Sequence, residues 1–215
     1  MSDAKLHQAL VDPELSAEFP ALRLFYVDIE GRSGRSPQSV RDRLKTMSNR
    51  VNGANAVQLR QQPVPWAYRV FFRQVGIDPD DRRTPVEQLV LDRLRDGGFR
   101  SRNLLDDAIA IATVETAVPL VAFDAERVEG PLELRLSREG ELLGSAGRPL
   151  SASQIVIADP KRALAVLFAD LDPERGVSAQ TRRMLLCAVQ VAGVPDISVE
   201  EALWTAAEIV TGAAA

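Results

Sequence analysis

Three acids at alternate positions, Asp170, Asp172 and Glu174, follow the apolar run ALAVLF in a short polar stretch that ends at Gly176. Carboxylates placed this way either orient a water molecule for attack or form an exposed acidic loop. Arg69 and Arg83 suit a phosphate or a carboxylate, although Arg83 could equally pair with the acids around it. Asn103 and Asp107 stand at the head of a helical pattern, where they either hydrogen-bond a ligand or cap and orient their own helix. Glu87, three residues after Thr84, closes a capping box, and Asp124 begins a turn. The chemistry open to these groups is bounded by what the chain lacks. His7 is its only histidine and lies in a segment expected to be mobile, so a histidine-based zinc site and a Ser-His-Asp triad are both excluded. Cys187 lies in RRMLLCAVQVAG, apolar around it, and reads as a buried structural thiol on a helix. There is no Walker loop and no GxGxxG after a strand, so no cofactor is expected. Carboxylates, hydroxyls, arginines and backbone amides still suffice for hydrolysis of an already activated ester, where holding the ester and stabilising the oxyanion is the main task.

The elements that must position these groups can be read from local pattern. LRLFYVDI over Leu22–Ile29 reads as a strand ending at Glu30-Gly31. Ser36-Pro37 predicts an N-cap with proline in the first turn, followed by Val40, Leu44, Met47 and Val51 at helical spacing and a stop at Asn52-Gly53. Pro65 opens a further helix closed by Gly76, with Trp66, Val70 and Phe71 on one face and Arg69 and Arg73 stacked a turn apart. Thr84 to Gly97 and Asn103 to Thr116 are two more helices, the second mostly apolar. Beyond Pro119 the texture turns to β: PLVAF, then LELRL and ELLGS joined by a turn at Arg138–Glu141, then QIVIAD and ALAVLFAD, apolar enough to be covered on both faces. A helix is expected from Ser178 to Gly193, and Ser198 with Glu201 caps a last one ending near Gly212, before a frayed Ala213–Ala215 tail. The order of strand, helices, strands, helices is segregated, which predicts an α+β fold rather than a doubly wound nucleotide fold. No internal repeat is found.

Bulk properties agree. A chain of 215 residues with 46% hydrophobic content can bury a real core, in one large domain or two tightly joined small ones. No apolar run approaches the roughly 20 residues of a membrane span, the start MSDAKLHQALVDPEL lacks the pattern of a signal peptide, and a single cysteine fits a reducing compartment. The cytoplasm is the expected location. The net charge of −4 hides an asymmetry: residues 31–74 hold nine basic groups against Asp42 alone, a balance of +8, which leaves −12 for the remainder. That stretch is either a phosphate-facing surface or a set of solvated helix faces.

Four stretches resemble the editing (B-three/four) domain of phenylalanyl-tRNA synthetase beta subunits and its free-standing relatives. They are EFPALRLFYVDIEG; AYRVFFRQVGIDPDDRRTPVEQLVLDRL, with Arg69, Gly76, Pro79, Arg83 and Glu87 at familiar positions; RSRNLLDDAIAIATVETAVPLVAFDAERVEG; and ALAVLFADLDPERGVSAQTRRMLL. The resemblance implies a single compact α+β domain with a β-sandwich-like core flanked by helices over residues 19–193. Residues 1–18 would then form an N-terminal extension and residues 194–215 a C-terminal helix and tail. The implied partner is aminoacylated tRNA, whose ester has a neighbouring ribose hydroxyl to help position water. The implied activity is removal of a wrong amino acid without amino-acid activation. Alignment on Asp107 and Phe123-Asp124 puts Ala110 and Val121 where the synthetases keep an asparagine and a histidine. The implied substrate-binding set is Arg69, Arg83, Asn103, Asp107, Ala110 and Val121, with Asp172 and Glu174 as the acids nearest the chemistry. Ala110 and Val121 make the pocket more apolar, so a preference for tyrosine does not carry over. Two other functions stand beside trans-acting deacylation. One is a module that binds tRNA or an amino-acid-like ligand without turnover. The other is a scaffold or homodimer, to which the extra C-terminal helix points.

Overall fold

The computed structural model describes residues 5–51, 53–144 and 147–212. Asn52 and the Ala213–Ala215 tail, both named above, lie outside the described residues. The N-terminal residues form β1 (Leu6–Gln8), β2 (Leu10–Val11) and α1 (Pro13–Glu18), before the long strand β3 (Arg23–Glu30). A helical half follows: α2 (Gln38–Arg50), α3 (Gly53–Leu59), α4 (Pro63–Gln74), α5 (Pro85–Asp96) and α6 (Leu104–Thr116). The β half comprises β4 (Leu120–Asp124), β5 (Glu133–Leu136), β6 (Leu142–Leu143), β7 (Arg148–Pro149), β8 (Ile155–Ala158), β9 (Ala163–Val166) and β10 (Arg183–Gln190), and α7 (Asp196–Gly212) closes the chain. The fold is α+β, as expected. None of the described helices is long and apolar enough to cross a membrane.

Two four-stranded sheets, ordered β1-β3-β10-β4 and β2-β5-β8-β9, supply one common apolar core. Ala9 is the joint between them: β1 pairs with β3, while β2, two residues on, pairs parallel with β5. His7 is therefore in a strand, stacked on Tyr26 with ring centroids 5.1 Å apart, and not in a mobile end. The loop from β9 to β10 is tied to both sheets. The Asp172 amide donates to Leu164 at 2.8 Å on one side, and the Asp124 amide to the Arg175 carbonyl at 2.9 Å on the other.

The largest correction concerns Ser178–Gly193. Arg183–Gln190 is not helical but the inner strand of the first sheet, antiparallel to both β3 and β4. Every residue from Met184 to Gln190 is buried, so the run lacks the polar alternation that marks a half-exposed strand. Ser178 makes a local turn, its amide donating to Thr181 Oγ1, rather than capping a helix. The expected turn at Arg138–Glu141 forms, the Glu141 amide donating to the Arg138 carbonyl at 3.2 Å, but the strands it joins do not pair with each other. The Glu141 carboxylate turns inward to Arg135, β5 pairs with β2 and β8, and β6 pairs with β7.

Smaller departures have equally local causes. Ser36 donates to Asp107 instead of capping α2. Helix α4 begins at Pro63, and Trp66 is 49% exposed under the Arg73 guanidinium while Tyr68, Arg69 and Phe72 are buried. Helix α7 begins at Asp196, ahead of the Ser198–Glu201 pair, and buries Val199, Leu203, Ala206 and Val210 within the chain. The extra C-terminal helix that pointed to a scaffold or homodimer thus spends its apolar face within the chain. The Thr84–Glu87 box, the stop at left-handed Gly97 and the span of α6 match expectation.

Candidate functional site

Arg69 projects from the apolar helix α4 into the mouth of α5. It is 4% exposed and reaches Glu87 at 2.7 Å and Asp80 at 2.8 Å. Glu87 does two jobs. One oxygen takes the Thr84 amide and hydroxyl at 3.1 Å each, and the other holds Arg69 and, at 3.2 Å, Arg60. Burial opposes the Arg69 charge, but the hydrogen bonds of Asp80 and Glu87 outweigh it and its pKa is raised. The Arg69 hydrogen bond in turn holds the Asp80 carboxyl below the usual carboxylate range. Arg83 shares Asp80 at 3.1 Å and remains partly exposed. Arg69 is thereby committed to fold contacts, whereas Arg83 still faces an opening.

Asn103 and Asp107 organise the start of α6. Asn103 Oδ1 accepts from the Asp106 amide and from Ser33 Oγ, at 2.9 and 2.8 Å. Asp107, 2% exposed, accepts from Ser36 Oγ and Ser101 Oγ at 2.5 Å each and from the Arg102 amide at 3.0 Å. These bonds fix the chain entering α2 and α6, and they occupy most of what either side chain can offer.

The two apolar positions lie apart. Ala110 packs beside the α2–α6 cluster of Val40, Leu44 and Ile111. Val121 sits on the first sheet, in a cross-strand row with Cys187, Tyr26 and His7. The Cys187 thiol is fully buried and burial pushes its pKa well up, so it is no nucleophile at neutral pH. Burial, with Cys187 and Asp28 nearby, also raises the Tyr26 hydroxyl. This row was not legible beforehand, because it depends on β1 pairing with β3.

The acids of the β9–β10 loop differ sharply. Asp172 is 0% exposed; Oδ1 accepts the Glu174 amide at 2.9 Å, while Oδ2 has no hydrogen-bond donor among the described residues. The nearest cation, Arg175 Nε, stands at 3.8 Å and is likewise without a hydrogen bond. Gly144, at φ +80°, lies so close that a Cβ there would come within 2.9 Å of Asp172 Oδ1. Glu174 is exposed, and its carbonyl accepts from Arg127 at 2.8 Å.

Asp170 and Arg83 line one and the same cleft of about 620 Å³. Arg82, Gln88 and Gln154 add polar groups, and Val166 and Phe168 add apolar surface. Phe168 holds a left-handed backbone at φ 54°, a strained state for a bulky residue. It is wedged against the rings of Tyr68, Phe71 and Phe72, and its carbonyl accepts from Arg82 at 3.2 Å. Strained backbone that packing over-determines is a frequent companion of ligand sites. The cleft offers cations for a phosphate, amides for a ribose or carbonyl, and an acid for water. Among the described residues, no cluster of histidine, cysteine or acid side chains could hold a metal ion.

A family model described as the B3/4 domain matches residues 67–203, well over half of the chain. The phenylalanine–tRNA ligase beta subunit of Nitrosococcus oceani is 32% identical over 114 residues, 52% of this chain and 14% of that protein. The corresponding subunit of Dickeya dadantii is 37% identical over 101 residues, 45% of this chain and 13% of that protein. The chain thus spans about a seventh of the length of these curated relatives. Among solved structures, an N-terminal fragment of the phenylalanyl-tRNA synthetase beta-subunit from Pyrococcus horikoshii aligns with 95% of this chain and 48% of its own. Its TM-score is 0.47 and its sequence identity 12%.

Proposed function

Starting from the fact that this chain belongs to the B3/4 domain family, we propose that it is a trans-acting editing protein that hydrolyses the ester of a mischarged tRNA. The cleft lined in common by Arg83, Asp170 and Phe168 carries this reading. Arg82 and Arg83 would hold the 3′-terminal phosphate, the amides of Gln88 and Gln154 would orient ribose and carbonyl, and Asp170 would orient water. Asp172 and Glu174, the acids first named for catalysis, would shape the loop that presents Asp170. Neither activation nor a nucleotide cofactor enters such a reaction, and the cytoplasm is where it would take place. The experiment is release of amino acid from a broad panel of mischarged tRNAs, non-protein amino acids included. The expected result is faster loss from a subset, reduced by Arg83→Gln and Asp170→Asn. No acceleration across the panel overturns the proposal.

A second reading is binding of tRNA without turnover. It is favoured by the bonding of Asn103 and Asp107, whose polar atoms are engaged by Ser33, Ser36, Ser101 and their own helix. Affinity that falls steeply with salt, with no ester loss, would decide for it.

A further inference from the structure

The two segments that enter α2 and α6 are held side by side by their serines. Ser33 Oγ donates to Asn103 Oδ1 at 2.8 Å, and Ser36 Oγ and Ser101 Oγ both donate to the buried Asp107 at 2.5 Å. The Leu104 amide closes the seam on the Gly34 carbonyl at 2.7 Å. Each serine has an arginine beside it in the chain: Arg32 and Arg35 in the first segment, Arg100 and Arg102 in the second. All four arginines are exposed. The side chains of Arg32, Arg35 and Arg102 make no ion pair or hydrogen bond among the described residues, and Arg100 only approaches Asp96 at 3.8 Å. Neither residues 31–37 nor residues 100–105 contain an acid. Of the flanking acids, Asp106 is engaged by Asn103 Nδ2 at 2.9 Å, and Glu30 stands at the end of β3. Because Ser36 is directed to Asp107, the first-turn amides of α2 have no side-chain cap and add to the positive field.

We propose that this seam is a phosphate-contacting face that grips the RNA backbone outside the cleft, without reading its sequence. The identity of the RNA rests on the proposal that the chain acts on charged tRNA. Four guanidinium groups on two acid-free segments form a local positive surface on a chain whose net charge is −4. Their planar forks suit phosphate oxygens, and contacts of that kind set position rather than sequence preference. The composition favours RNA over other anionic partners. A membrane surface or an acidic protein is held by apolar side chains beside the cations, and none of the exposed large hydrophobic residues lies in either segment. None of the four arginines lines the cleft, and Arg32 and Arg35 precede the family match that begins at residue 67. Asp107 and Asn103 are then positioning residues, which align the two arginine-bearing segments and leave the contact itself to the guanidinium groups.

The test is binding of an uncharged tRNA transcript to the full chain, read by fluorescence anisotropy over a series of salt concentrations. Arg35→Gln and Arg102→Gln, checked for folding by circular dichroism, should each weaken binding about three- to tenfold at low salt. Each should also reduce the slope of log affinity against log salt by about one. Arg35→Lys keeps the charge and should keep the slope. Lys161→Gln makes an equal change in net charge at an exposed residue of the β half, and should leave affinity and slope unaltered. Absence of tRNA binding at low salt overturns the proposal. So does unchanged binding in both glutamine variants, weakening with no change of slope, or an equal effect from Lys161→Gln. The test needs no turnover, so the two proposals fail separately. Salt-dependent binding lost in the arginine variants, with no ester released from any mischarged tRNA, sinks the deacylase and upholds this face. Ester release with binding unaltered in those variants does the reverse.

Discussion

At the α4–α5 junction, Arg69 and Glu87 are 4% and 3% exposed and meet at 2.7 Å, with Thr84, Asp80 and Arg60 completing their bonds. In the β9–β10 loop Asp172 and Arg175 stand 3.8 Å apart, and one polar atom of each lacks a hydrogen bond among the described residues. Both regions bury an acid beside an arginine, yet only the first is a closed network. A closed network fixes one arrangement and is costly to break, because the surviving partner keeps its charge without compensation. An open pair confers less stability, and its acid is kept inside by chain geometry rather than by bonding. The junction therefore serves the fold. In the loop, one Asp172 oxygen takes the Glu174 amide while the other has no donor among the described residues.

The contrast can be broken by mutation. Arg69→Ala should cost about 3–5 kcal/mol in urea unfolding, since Glu87 stays buried. Gly144→Ala comes next, at about 1–3 kcal/mol, because the backbone is left-handed and the new carbon meets Asp172. Asp172→Asn should change stability by only about 1 kcal/mol or less. A loss equal to that of Arg69→Ala would erase the distinction between the two regions. The smallest effect concerns pH. The folded pKa of Asp80 is depressed, so its contribution is present above the ordinary carboxylate pKa and is lost as pH falls through the depressed value. The acid limb of the stability profile should therefore flatten slightly in Arg69→Ala, and less so in high salt, because Asp80 is exposed.

How far the sequence disclosed this arrangement depends on the range of the forces involved. The Thr84–Glu87 box, the cap at Asn103 and the glycine stop after α5 are decided within a few residues and were readable. The second bond of Glu87 was not, since it needs Arg69 brought from eighteen residues away. Strand β10 was misread for a related reason: burial on both faces removes the alternation by which a strand is recognised. The site residues followed the same rule. Their types were visible, but which of them share a cleft is set by tertiary packing, and it joined Arg83 to Asp170 while sending Ala110 and Val121 to different walls.

The placement of β10 also bears on how the chain comes off the ribosome. β3 and β4 both depend on it as their common neighbour, yet residues 183–190 are made long after either. During that interval each presents an open hydrogen-bonding edge that another nascent chain could capture. Fragments ending before Arg183 should accordingly aggregate instead of folding, however complete their helices are.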